Sequence, residues 1–118
     1  QGKLRPCPAS PNCVGSENAD SEHAVAPFAY LGDRTRSELA LTAALGTLPR
    51  TTIVRRQGDY WHAMSISGLF RFIDDIEVRF DDATQRIEVR SGSRVGYSDL
   101  GVNRKRIEAL RSAYLAQP

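Results

Sequence analysis

No apolar run in this sequence approaches the ~20 residues that cross a bilayer as a helix. The polar start Gln1-Gly2-Lys3 is not that of a signal peptide either. The chain therefore reads as soluble, with no transmembrane segment, either throughout or as a trimmed mature product. Charge of one sign is also lacking: sixteen Lys and Arg stand against fourteen Asp and Glu, a net +2. So small an excess gives no reason to expect nucleic acid as a partner. A glycine-rich phosphate loop of Walker type is missing, which removes support for nucleotide hydrolysis. Cysteine is scarce. Cys7 and Cys13 are the two present, and their five-residue separation does not match the short spacing of zinc knuckles. A set of Cys7, Cys13, His23 and His62 is therefore not favoured as a metal site, and no metal or cofactor is expected.

What is there describes one small globular domain. The 118 residues are 41% hydrophobic and 25% charged, ordinary for a single packed core. Residues 1–26, interrupted by Pro, Ser, Asn and Gly, read as an irregular N-terminal arm, and 27–118 as the α+β body. The turn formers of Cys7-Pro8-Ala9-Ser10-Pro11-Asn12-Cys13 can bring the two sulfurs together. A disulfide is the favoured reading and reduced thiols the alternative. A bond would mean an oxidising compartment.

In the body, Phe28 to Leu31 is a strand or extended segment. Thr35 and Glu38 have capping-box spacing, and Leu41, Ala44, Leu45 and Leu48 follow at helical intervals, giving a helix over about 36–47. Gly58-Asp59 marks a hairpin. Alternation over 70–80 and around Ile87 and Val89 supplies two more strands, and a last helix spans about 103–116 with Ile107, Leu110 and Tyr114 inward. The expected architecture is a four-stranded antiparallel meander with two helices on one face.

Turn lengths imply a register. They place Arg55, His62, Asp74 and Ser91 in one row on the helix-covered face, with Ile53, Met64 and Phe72 in the next row. A carboxylate among apolar residues must be paired. Either the row is a buried network, or it lines a pocket where Asp74 orients His62 for acid–base work. A hydrolase built from His62, Asp74 and Ser91 suffers from having its acid between histidine and serine, whereas the histidine should lie between. A β-bulge at Asp74-Asp75 would dissolve the puzzle. The other face receives Arg56, Trp61, Asp75 and Arg90, with Arg56 able to stack on Trp61 and Asp75 able to pair with Arg90.

From Arg90 to Arg106 the chain carries many cations, three of them (Arg104, Lys105, Arg106) in the first turn of the last helix, where the dipole disfavours positive charge. Salt bridges can offset this, or an anion bound by Arg90, Ser93, Arg94, Asn103 and Arg104 near the helix start, with Asp99 close to the cap. At this segment the chain resembles a known family. Pro-Cys-Pro-Ala-Ser-Pro-Asn-Cys-Val (6–14), Phe-Arg-Phe-Ile-Asp-Asp (70–75) and Ser-Arg-Val-Gly-Tyr-Ser-Asp-Leu-Gly-Val-Asn-Arg (93–104) are similar to the bacterial and plastid family called domain of unknown function 1499. The likeness covers nearly the whole chain, with Gly15 and Gly92 where relatives often have another small residue. It implies an exported or lipoprotein-like protein of extracytoplasmic location, the bacterial periplasm or envelope, which agrees with the disulfide reading, and it supplies no activity. The leading expectation is thus a non-enzymatic envelope domain that binds a small anionic ligand or a protein partner. A small hydrolase using His62 is the alternative, and an arm that docks on another envelope protein a third reading. Sequence does not set the oligomeric state.

Overall fold

The computed structural model describes residues 3–66, 72–95 and 101–118. In chain order these form β1 (Cys13–Gly15), β2 (Phe28–Ala29), α1 (Arg34–Gly46), β3 (Thr51–Gln57), β4 (Tyr60–Ile66), β5 (Ile73–Asp81), β6 (Arg86–Ser93) and α2 (Val102–Leu115). The fold is α+β. Strands β3 to β6 make the expected antiparallel meander, but the sheet has six strands: β1 and β2 both pair antiparallel with β6. The N-terminal arm is therefore not irregular throughout, since Cys13–Gly15 extends the sheet. The Cys7–Cys13 disulfide closes the stretch before it.

Local chemistry explains the element ends. Helix α1 starts two residues earlier than the Thr35 box suggests, because the Asp33 side chain, in extended backbone, accepts the Arg36 N–H at 2.8 Å. Glu38 then serves Arg34 at 2.8 Å rather than the cap. Gly58 takes φ +59 in the two-residue turn of the β3–β4 hairpin, which pairs Arg55 with His62 as expected. A register shift between Ile53 and Arg55 leaves Val54 exposed and sets Ile53 opposite Ala63, not in a row with Met64. The bulge lies here, not at Asp74-Asp75. Phe72, expected in that same row, is half exposed.

Core packing is confined to one face of the sheet. Leu41, Ala44 and Leu45 of α1 and Ile107, Leu110 and Tyr114 of α2 close over Trp61, Ala63, Ile76, Val78, Phe80, Ile87 and Val89. Both helices thus keep their hydrophobic spacing and place it on the sheet. The opposite face carries Tyr60, His62, Asp75, Glu77, Arg79, Glu88 and Arg90, and the start of the chain crosses it: Leu4 is buried and its N–H donates to Glu17 at 2.8 Å.

The sheet overturns the rows expected on both faces, and Trp61, expected beside Asp75 and Arg90, faces Val78 within the core. The β4–β5 connection runs 67–72, because Ile66 pairs with Ile73, and the turn expected at 67–69 lies outside the described residues. His62 consequently faces Glu77, three positions beyond Asp74. An odd slip moves a side chain to the other face of its partner strand. Ser91 faces Ile76, two positions from Asp74, and the even slip leaves Ser91 and Asp74 on the same face. Asp74 and Ser91 therefore lie under the helices while His62 lies on the far side.

Candidate functional site

Asp74 is only 6% exposed, and α2 satisfies it. Arg106 Nη2 meets Asp74 Oδ2 at 2.8 Å, while Arg106 Nη1 donates to Asn103 Oδ1 at 2.7 Å. Ser91 Oγ donates to that same Asn103 oxygen at 2.7 Å, and Asn103 Nδ2 donates to Ser93 Oγ at 3.0 Å and to the Asn12 carbonyl at 3.1 Å. This network ties α2, β5, β6 and the arm together. It is the buried-network reading, with Arg106 in the place expected for Arg55 and His62. Ser91 is fully buried, and its hydroxyl is directed to Asn103 with the whole sheet between it and His62. The triad of His62, Asp74 and Ser91 is not assembled.

The other two cations of the helix start behave differently from one another. Arg104 donates to the carbonyls of Ala24 and Glu22, both at 2.9 Å, and so holds the arm. With Asn103 in the core network and Arg104 on the arm, neither joins Arg94. Asp99 lies outside the described residues. The expected anion set therefore divides, and Arg90, Ser93 and Arg94 are the members that stay together.

Those three line a pocket of about 610 Å³ with Arg5, Pro6, Cys7, Pro8, Asp75 and Gly92. Period-two alternation puts Asp75 and Glu77 side by side on β5, and Arg90 comes across from β6 opposite Glu77. Arg90 Nη1 donates to Glu77 Oε1 at 3.1 Å, and Arg5 Nη2 lies 3.6 Å from the same oxygen. The expected Asp75–Arg90 pair is replaced by Arg94, whose Nε and Nη2 grip Asp75 at 2.8 and 2.9 Å. His62 Nε2 stands 2.6 Å from Asp75 Oδ1, so the acid beside this histidine is Asp75 rather than Asp74. The disulfide forms one wall: a side-chain carbon at Gly92 would lie 3.2 Å from Cys13 Sγ and 3.5 Å from Arg90 Nη1, and a small residue keeps the wall and floor in contact.

Three guanidiniums thus share two carboxylates. Arg90 is 7% exposed, and its Nε, buried like that of Arg79, has no hydrogen-bond partner among the described residues. Burial lowers the Arg90 pKa, Glu77 works against that, and the charge of Arg5 adds to the lowering. Burial would raise the Asp75 carboxyl, but the hydrogen bonds from Arg94 and His62 outweigh it and hold the group below the ordinary carboxylate value. Tyr60 donates to Glu77, and desolvation together with that carboxylate pushes its phenol upward.

The family model described as "Protein of unknown function (DUF1499)" matches residues 3–114. The chain belongs to this family. The match begins in the arm that walls the arginine pocket and runs into the last turns of α2, so in this DUF1499 domain the arm is part of the shared unit. Among curated proteins and solved structures, none matches the chain.

Sequence reasoning missed Arg5, Glu77 and Arg106 as members of these clusters. Glu77 had a legible signal, since it stands two residues from Asp75 in a period-two strand. Arg5 had none beyond its place beside the cysteine motif. As for metal, the sulfurs of Cys7 and Cys13 are bonded to each other. Asp20, Glu22 and His23 bring ligand atoms within 4.8 Å of one another, but both ring nitrogens of His23 are engaged, by Asp20 and by the Ser10 carbonyl.

Proposed function

We propose that this DUF1499 domain is a non-enzymatic extracytoplasmic binding module that holds a small oxyanion, a carboxylate or phosphate, in the pocket of Arg5, Arg90 and Arg94. The observation that carries the reading is Arg90: a guanidinium almost wholly withdrawn from water, with its Nε unpaired among the described residues and a second arginine beside Glu77, the carboxylate it is paired with. Two guanidiniums on one carboxylate leave an excess of positive charge that an oxyanion in the pocket would balance through charge-assisted hydrogen bonds. The Cys7–Cys13 bond supports an oxidising compartment such as the bacterial envelope. Acid–base chemistry by His62 with Asp75 is the second reading, favoured by their 2.6 Å contact.

Calorimetric titration with inorganic phosphate and with acetate tests the proposal. Arg5→Ala is the cleanest variant, because the Arg5 side chain is 71% exposed and its removal leaves Glu77 bound to Arg90 and Tyr60. Losing one charge-assisted hydrogen bond should weaken binding roughly 10-fold, and Arg94→Ala should act in the same direction. Binding by neither anion, or binding indifferent to both variants, rejects the site. Turnover of simple esters that disappears in folded His62→Ala protein would favour the second reading.

A further inference from the structure

A second cleft lies on the helix side of the sheet, across it from the arginine pocket, where the end of α1 meets the start of α2. It measures about 340 Å³ and is lined by Leu48, Pro49, Arg50, Thr51, Ser65, Ile66, Val102, Lys105, Arg106 and Ala109. That volume falls at the small end of the ~300–1,000 Å³ of small-molecule sites. The lining holds three cations and, among the described residues, no acid. In a chain with nearly balanced charge such a segregation produces a focused positive potential.

Each cation is differently held. Arg106 is anchored by Asp74. Arg50 sits at φ +52, a conformation that side chains seldom adopt, fixed there because its Nε donates to the Ile66 carbonyl at 2.8 Å and its own carbonyl accepts the Ile66 N–H at 3.1 Å. Backbone of this kind persists where the surroundings impose it, and it clusters at ligand sites. Lys105 is exposed and has no ion-pair partner among the described residues. Of the three cations at the start of α2, Arg106 is paired with Asp74 and Arg104 is held by two backbone carbonyls, whereas Lys105, in the lining of this cleft, has neither kind of partner among the described residues. Leu48, Pro49, Ile66, Ala109 and a Val102 that is 43% exposed supply an apolar wall, and the two hydroxyls of the lining are bonded to each other, Thr51 donating to Ser65 at 3.1 Å.

Cations at one place and an apolar wall beside them define an amphiphile. We infer that this cleft binds a single-chain anionic amphiphile, its carboxylate or phosphate head between Arg50 and Lys105 and its alkyl chain along Leu48, Ile66 and Val102. A free fatty acid and a membrane lipid both offer this chemistry. The inference does not depend on the arginine pocket, which lies on the other face of the sheet.

Calorimetry with the intact protein, together with amide shift mapping by NMR, tests it. Octanoate should bind at least 10-fold more tightly than inorganic phosphate, which has no tail, or octanol, which has no charge, and should shift the amides of Ser65, Ile66 and Lys105. Arg50→Glu, which gives up the bond to the Ile66 carbonyl, and Lys105→Glu, each checked for folding by circular dichroism, should weaken octanoate at least 5-fold as read from those amides, while Arg5→Ala, on the other face of the sheet, leaves the shifts of those amides unchanged. Co-sedimentation with phosphatidylglycerol vesicles separates the sources: sedimentation abolished by Lys105→Glu assigns a membrane lipid, and none assigns a free amphiphile. Failure of octanoate to bind, equal binding of octanol, or binding indifferent to Arg50→Glu and Lys105→Glu overturns the inference.

Discussion

Asp74 and Asp75 are neighbours in β5 whose carboxylates lie on opposite faces of the sheet, Asp74 at 2.8 Å from Arg106 beneath α2 and Asp75 at 2.6 Å from His62. The first pair is nearly dry, with side chains 9% and 11% exposed, whereas the Arg94 that grips Asp75 is 44% exposed. Removing one member of a buried ion pair strands the other. Asp74→Ala should therefore cost about 3 kcal/mol, and Asp75→Ala about 1 kcal/mol or less. Urea melts of the two variants compare them directly, and equal losses would contradict the assignment of faces.

Asp75 also sets an acid limb. Because the Asp75 pKa is depressed in the folded protein, its contribution is present above the unfolded value of 3.8 and is lost as pH falls through the folded value. Asp75→Asn should flatten the decline in stability measured below pH 4, a result that melts at stepped pH can confirm or refuse.

His23 works in the opposite direction. It is 5% exposed, and its ring nitrogens meet two acceptors, the Asp20 carboxylate and the Ser10 carbonyl at 2.9 Å. Only the protonated ring donates to both. The bond to Asp20, then that to Ser10, raises its pKa above 6.5. That stabilisation is complete below 6.5 and is lost as pH rises through the folded value. The arm should loosen as pH rises through that value, visible as amide exchange at Gly15 and Val25, which are bonded to the His23 and Gly15 carbonyls, that quickens by more than hydroxide catalysis alone gives. An NMR titration that put His23 at or below 6.5 would refute this.

Cys7 and Cys13 close a loop with a sequence separation of 6. In the chain-entropy description such a loop contributes about 2 kcal/mol. Cys7→Ser paired with Cys13→Ser should lower stability by that amount and weaken anion binding, because Cys7 and Pro8 wall the arginine pocket. Intact mass before and after reduction checks the bond. Native protein with two alkylatable thiols would remove both expectations.

Arg56 stacks on Trp61 as its sequence position suggests, with Cζ 3.9 Å from the ring centre, yet the ring is 3% exposed and packs on Phe80 at 4.8 Å. Arg56 is its lid. Arg56→Ala should cost about 0.5–1 kcal/mol and increase acrylamide quenching of the single tryptophan, whereas unchanged quenching would show that the stack shields nothing.

How much of this was legible follows from the range of the forces involved. The 3.6-residue spacing of Leu41, Ala44 and Leu45, the 3.6-residue spacing of Ile107, Leu110 and Tyr114, the period-two strand around Ile76 and the turn at Gly58-Asp59 are local patterns. They fixed the α+β class, both helices, the first hairpin and the burial of Asp74. The cysteine motif pointed to its disulfide for the same reason, since turn formers act within a few residues. The partners of Asp74 and His62 were not local. They depended on the connection at 67–72, where an odd slip of three put His62 opposite Glu77, and an even slip of two left Ser91 beside Asp74. Alternation records which residues share a face within one strand, but it carries no information on how far the next strand has slid. Only tertiary packing decided that: α2 brought Arg106 onto Asp74, and the arm brought Arg5 onto Glu77, each across a distance in sequence that no periodicity spans.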